Sequence, residues 1–487
     1  MCSLQGEYLV FFVVSDAQPS HLMMLWRLTA DQGNTRTVSR PSTEADRLLT
    51  VMFGVMPSYE QPLMIETRTV MTNCHEDTGL AAKTLRKNIQ EVLSDGSLRP
   101  LAQQEEYSLF DEAVYVCTHV STPTAGSAKR AQTFVWAGDA ASKSTIEQAQ
   151  LVARRLGREA GSVSIVTCQQ GYETPDFLQA LGGIMVTRRG SRKGAPKQYM
   201  LCGRKHLGHI TFDEMDLSVK SLCPGFVYLV SYPVTLQQTK LYLWKGSACS
   251  TEEVSAARLT AMDLSETGEI IEVDDGAEFA SFLKVFGPGT TKSSVPKTSP
   301  FWRAKGQAPE DFAVRLFRIQ QAEAKTSMIT SLFTRRPSWN KFSPSRSPSR
   351  PAEEVKVEAK HISPFTQSDL DADGIYLLDA HSELYVLVGP LLASQPENVR
   401  NALLGQTLLF AAEYAGVCAE ERGGREPQGS VLFRGVPEEF ALLFRHWSQE
   451  EGLWGTASLM AGSRQAHGST EVKMLPLEEV RKAVCTL

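Results

Sequence analysis

The chain has 487 residues, room for about three domains at the usual domain size. With 42% apolar and 22% charged residues, wholesale disorder is excluded. Fifty basic residues against fifty-five acidic ones leave a net charge of -5, which excludes a dedicated nucleic-acid binder and leaves only local basic patches to consider. Nine cysteines, an odd number with no CxxC pair, read as reduced, buried thiols of a cytosolic protein.

In chain order, residues 6–12 and 22–26 read as two strands and 42–53 as a shortened helix, together a partial or degenerate unit over 1–72. The apolar run 8–14 is half of what a membrane span needs and has Glu7 beside it, so neither a signal peptide nor a transmembrane segment is expected. That unit starts at its middle, and truncation is the preferred explanation over degeneracy. Residues 78–93 have helical period and are expected to form a helical connector within 73–97.

Beyond it the chain repeats. An apolar strand carrying Tyr115, Tyr228 or Tyr376 is followed by a second strand that ends at Gly138, Gly246 or Gly389, where the turn begins. A helical segment follows at 144–156, 250–264 and 396–414. Ser144 and Ser250 are placed as N-caps, with Glu147 and Glu253 at capping-box spacing. Another strand and a short aromatic helix anchored on Phe177, Phe282 or Phe440 close each unit. The expected fold class is α+β: tandem units, each a mixed sheet sandwiched between one long and one short helix. Their boundaries are read as 98–190, 191–287 and 312–450, with a Pro/Ser/Lys-rich linker at 288–311 and a tail at 451–487. A basic Ser/Pro insertion at 334–352 in the last unit is expected to be disordered.

The aligned pattern, apolar-Tyr-apolar-apolar, Tyr-x-Trp-x-Gly, Ser-x-x-Glu-x-x-x-Ala, then Glu-x-x-x-Phe-x-x-x-(Leu/Phe)-Gly, resembles the gelsolin/villin family of actin-severing and capping proteins. Residues 241–287 carry it most fully, and 363–389 look most like the gelsolin-repeat proteins of fungi. The resemblance implies tandem gelsolin-like repeats, actin as partner, a cytoplasmic place on the actin cytoskeleton, and filament severing or capping without enzymatic activity. In keeping with that, the sequence has no GxSxG, GxGxxG, P-loop or HExxH motif. A cytoskeletal adaptor of degenerate repeats, binding protein partners or a membrane surface without severing, is the alternative.

The resemblance also nominates residues. Actin contact falls to the faces of the three long helices. Calcium, bound in the family by a Gly-Asp pair and a helix Glu, maps onto Glu147, Glu253 and Glu397 with Asp111 and Asp373. The family's aspartate positions are held here by Ala113, Phe226 and Gly374, so the calcium sites read as degenerate. Arg188, Arg189, Arg192, Lys193, Lys197, Arg204 and Lys205 place seven positive charges at a joint that in the family binds phosphoinositides or the side of actin. Ser338, Ser343 and Ser347 sit in a second basic cluster, where phosphorylation would cancel the charge. His206 and His209 read as structural histidines, since two ligands without partners make no metal site.

Overall fold

A computed structural model describes residues 43–295, 312–322, 355–447 and 472–485, apart from 75–76, 80, 125–127, 163, 236–237 and 266–267, together with the paired strands Glu7–Leu9 and Arg27–Thr29. The first sheet has the order Leu98–Pro100, Ala82–Val92, Val114–Pro123, Arg130–Ala137, Ile165–Gln169. Its last pair is parallel, so the chain needs a crossover, and the first long helix, Lys143–Ala160, supplies it. Val114, Val116 and Val135 face Ala149 and Ala153 of that helix. Tyr115, Cys117, Phe134 and Trp136 face Phe177, Leu178 and Leu181 of the short helix Pro175–Leu181. Burial on both faces is why these strands read as continuous apolar runs.

The expected helix at 78–93 is instead the eleven-residue strand Ala82–Val92. Leu85, Ile89 and Val92 fall by accident at helical spacing, but pairing with Val114–Pro123 decides the conformation. Residues 83–88 are mostly charged or polar and exposed because this part of the strand has a neighbour on one side only, and charges blunt such an edge.

The second sheet is shared between units. Ile270–Asp274, Thr239–Lys245, Val227–Pro233, Tyr199–His206 and His209–Met215 come from the second repeat, and the sheet continues into Ile184–Arg188 and Ser108–Phe110. Both added strands run parallel to their neighbours and lie within the span assigned to the first repeat. Units one and two are therefore joined by backbone hydrogen bonds. The second long helix, Thr251–Leu264, covers one face of this sheet.

The third sheet runs Val357–Ile362, Arg315–Gln321, Ile375–Asp379, Glu383–Val388, Gln428–Arg434, Lys473–Pro476. Ala322 N donates to Lys356 O at 2.9 Å, so the chain departs for the Ser/Pro-rich insertion and returns at one point. The insertion itself, with Ser338, Ser343 and Ser347, lies outside the described residues. Residues 473–484, expected in a separate tail, supply an edge strand and the helix Leu477–Val484 to this unit.

The N-terminal segment also belongs here. Helix Glu44–Phe53 forms where expected, capped by a Thr43/Asp46 capping box, but among the described residues it packs into the core of the third unit. Ala45, Leu49 and Phe53 join Ile65 and Met71 in one core with the third long helix, Glu397–Glu421, and the C-terminal helix.

A buried polar pair marks the first two repeats. Trp136 Nε1 donates to Glu173 Oε1 at 2.8 Å, and Trp244 Nε1 to Glu278 Oε1 at 2.9 Å. In the third unit Leu387 and Val436 take the corresponding places in the apolar core. Both partners are replaced together because a carboxylate without its indole donor would be left buried with a hydrogen bond missing.

Candidate functional site

The three long helices differ in what they leave open. The first is capped by Ser142, whose Oγ accepts from Thr145 N at 3.2 Å. The expected cap, Ser144, is the second residue of the helix, and Glu147 is exposed instead of closing a capping box. Outward it carries Glu147, Leu151, Arg154, Arg155 and Arg158, with Leu151 58% exposed. The second helix has the expected box: Glu253 N donates to Ser250 Oγ at 3.1 Å and Ser250 N to Glu253 Oε2 at 2.8 Å. Its open stripe holds Ser255, Arg258, Leu259 and Met262, the last two 59% and 64% exposed. Arg258 forks onto Glu272 at 2.7 and 3.0 Å, which fixes one side of the stripe.

The third long helix is not an open face. Ten consecutive residues, 402–411, are buried. By length and composition this helix could cross a membrane, but 78% of its apolar window is buried inside the fold, as in the core helix of a globular unit.

The proposed calcium ligands are not gathered. Glu253 spends its carboxylate on Ser250 N and on Lys205 N, at 3.2 Å, and is 1% exposed. Asp111 accepts from Gly190 N at 2.7 Å, and burial pushes its carboxyl above the ordinary value. Asp373 accepts from Gln395 Nε2 at 2.9 Å, while Glu397 is an exposed residue in the first turn of its helix. Among the described residues no group of three or more His, Cys, Asp or Glu could hold a metal ion. These residues do not fit a calcium site.

The basic joint is largely neutralised. Arg188 is buried, bonded to Glu214 Oε2 at 2.6 Å and stacked 3.6 Å from the Tyr199 ring centroid. Arg189 pairs with Asp216 at 2.6 Å, Arg192 with Glu105 at 3.4 Å, and Lys205 with Glu252 at 3.4 Å. Arg204 is interior, its Nη1 donating to Leu442 O at 2.9 Å and Phe444 O at 3.2 Å of the third unit. Lys193 and Lys197 are exposed. His206 and His209 pair across the turn of one hairpin, and burial, then the charge of Arg445, holds the His206 imidazole well below its usual value.

Arg204 points to a junction that the sequence reading missed. Arg445 follows the short helix of the third unit and is buried between the other two. Its Nη1 donates to Glu173 Oε2 at 2.8 Å, its Nε to Asp213 Oδ2 at 3.0 Å and its Nη2 to Asp213 Oδ1 at 2.9 Å. One charged residue thus comes from each repeat. Burial alone would raise the Asp213 carboxyl, but the Arg445 guanidinium and then His446 hold it well below the carboxylate range. Tyr172 OH adds contacts to Thr366 at 2.8 Å and Asp369 at 3.0 Å across the same interface.

Against known families, the gelsolin-repeat model matches residues 209–283 and 357–440, and a domain of unknown function, DUF7904, matches 88–189. The two gelsolin matches cover the long helix, the parallel crossover and the anchoring Phe of the second and third units. The chain carries gelsolin repeats, and in them it is similar to the gelsolin/villin family. Protovillin of Dictyostelium discoideum is 22% identical over 77% of this gelsolin-repeat chain and 36% of its own length. The mouse protein flightless-1 homolog is 26% identical over 49% of this chain and 18% of its own, and the human one 25% over the same shares. The gelsolin-repeat chain thus spans about a third of protovillin and about a fifth of the flightless-1 homologs. A chain in the solved Thorarchaeota 2DGel3/rabbit actin complex aligns at 15% identity over 41% of this chain and 99% of its own, with a TM-score of 0.17, too loose to bear on the fold.

Proposed function

We propose that this gelsolin-repeat chain is a cytoplasmic actin-binding protein without enzymatic activity that grips filaments through its first two long helices, and that it severs or caps them independently of calcium. The observation that carries this is the pair of open, charged helix faces with a solvent-exposed apolar anchor, Leu151 on one and Leu259 with Met262 on the other, in repeats whose third counterpart is closed. An apolar stripe bordered by charge is the chemistry of helix-in-groove recognition. The gelsolin-repeat matches, and the resemblance to a family of actin-binding proteins, support actin as the occupant of that groove. Phosphoinositide regulation has less support, since at least five of the seven charges at the basic joint are already held by carboxylates or carbonyls.

The test is pyrene-actin disassembly with co-sedimentation, in excess chelator and in millimolar calcium. Accelerated disassembly in both, abolished by Leu151→Asp with Leu259→Asp, is the expected result. Acceleration only with calcium overturns the calcium independence, and no pelleting in either condition moves the adaptor reading to first place.

A further inference from the structure

The third long helix contains two residues that a closed apolar core would not choose. Gly405, in mid-helix, costs about 1 kcal/mol relative to alanine. Gln406 is 0% exposed, and a buried amide costs free energy unless its hydrogen bonds are made. Both are accounted for by one stretch of the N-terminal segment. The Tyr59 ring lies on the bare backbone of Gly405, where a Cβ would stand 2.2 Å from Tyr59 Cγ. Gln406 Nε2 donates to Tyr59 OH and to Pro62 O, each at 2.7 Å, and its Oε1 accepts from Met64 N at 2.8 Å. The amide thus reads backbone and side chain of an extended peptide. Tyr59 N in turn donates to Val484 O at 2.9 Å, and Arg68 reaches Glu420 at 2.6 Å.

We propose that residues 43–74 are an intramolecular ligand, a strap whose 59–64 stretch is recognised by a socket at Gly405 and Gln406, and that the strap keeps the third long helix from the partner which the first two are free to meet. The second half rests on the actin reading above; the first half does not. At the socket itself glycine and glutamine are tolerated by water when the strap departs, while the apolar contacts of Leu49, Phe53, Ile65 and Met71 with the same core are what departure gives up. The strap reaches its socket from more than 300 residues away in sequence, so the covalent link adds local concentration to contacts that hold the strap without it, and a free copy of the strap can compete.

The experiment uses the full chain with a protease site placed between Cys74 and Thr78, cut after folding. The strap is expected to co-elute with the body after cutting and to exchange for a labelled peptide of residues 43–74. Gly405→Ala improves helix propensity while filling the socket, so at least tenfold weaker retention in that variant cannot come from a weakened helix. Tyr59→Ala should act in the same direction. A strap that leaves as soon as it is cut, or one held equally well by wild type, Gly405→Ala and Tyr59→Ala, overturns the socket. Removing the cut strap should raise actin co-sedimentation several-fold. Equal pelleting with and without the strap overturns the masking half while the exchange result stands, and pelleting by neither form overturns it together with the actin reading.

Discussion

Removing Arg445 is the most informative single perturbation. In Arg445→Met the side-chain volume stays, but three charge-assisted hydrogen bonds vanish and two carboxylates, Glu173 at 0% and Asp213 at 1% exposure, lose their countercharge. Breaking a buried pair from one side costs about 3–5 kcal/mol, because the orphaned charge remains desolvated. The loss should appear where the three units meet, so hydrogen exchange at residues 209–215 and 440–447 is the direct readout, with urea unfolding of the full chain beside it. Adding Glu173→Gln and Asp213→Asn should recover most of the loss, since the triple variant has no unpaired charge to bury. A single variant within about 0.5 kcal/mol of wild type, or a triple variant no better than the single, would refute the argument. Acid gives an independent check. Asp213 is depressed in the folded state, so its contribution is complete above the ordinary carboxylate range and is lost only as pH falls through its folded value, well below that range. Opening of the junction above about pH 4 would contradict this assignment.

Other expectations follow from the same structure. His206 is held neutral when folded and would take up a proton when unfolded, so stability should decline as pH falls below about 6.5, by up to about 1.4 kcal/mol per pH unit; a flat profile from pH 7 to 5.5, or one that His206→Asn leaves unchanged, argues against it. Trp244→Leu should cost about 2–4 kcal/mol, and adding Glu278→Val should return at least about 1 kcal/mol of it, reproducing the Leu387/Val436 pairing of the third unit; thermal denaturation of the two variants decides. Ser142→Ala should destabilise the first long helix by about 1 kcal/mol while Ser144→Ala stays within about 0.5 kcal/mol, and the reverse order in denaturant titrations would put the cap where the sequence alone had placed it.

Much of each repeat was legible because its central strands are buried on both faces and its turns end on glycine. The Ser250/Glu253 box was readable for a local reason: its atoms lie three residues apart. The errors share the opposite property. Ala82–Val92 has little apolar content of its own and takes its conformation from Val114–Pro123 across the sheet. Arg188 and Arg204 read as a basic surface patch, since nothing near them in sequence announces Glu214 or the carbonyls of Leu442 and Phe444. The helix at Glu44–Phe53 was visible, but its partner lies at the other end of the chain. One signal was available and unread: Trp and Glu occur together in two repeats and are lost together in the third, which points to a pair in contact.

The strap also sets a timetable. Tyr59 leaves the ribosome long before Gln406, which lies 347 residues later. At ordinary rates of synthesis of about 5–20 residues per second, the interval is roughly 20–70 s. Through that time Leu49, Phe53, Ile65 and Met71 have no surface to cover, although the first two repeats can already be complete. A nascent chain of this protein therefore carries an exposed apolar segment for most of its synthesis, and a chaperone that holds such segments would have its longest opportunity there.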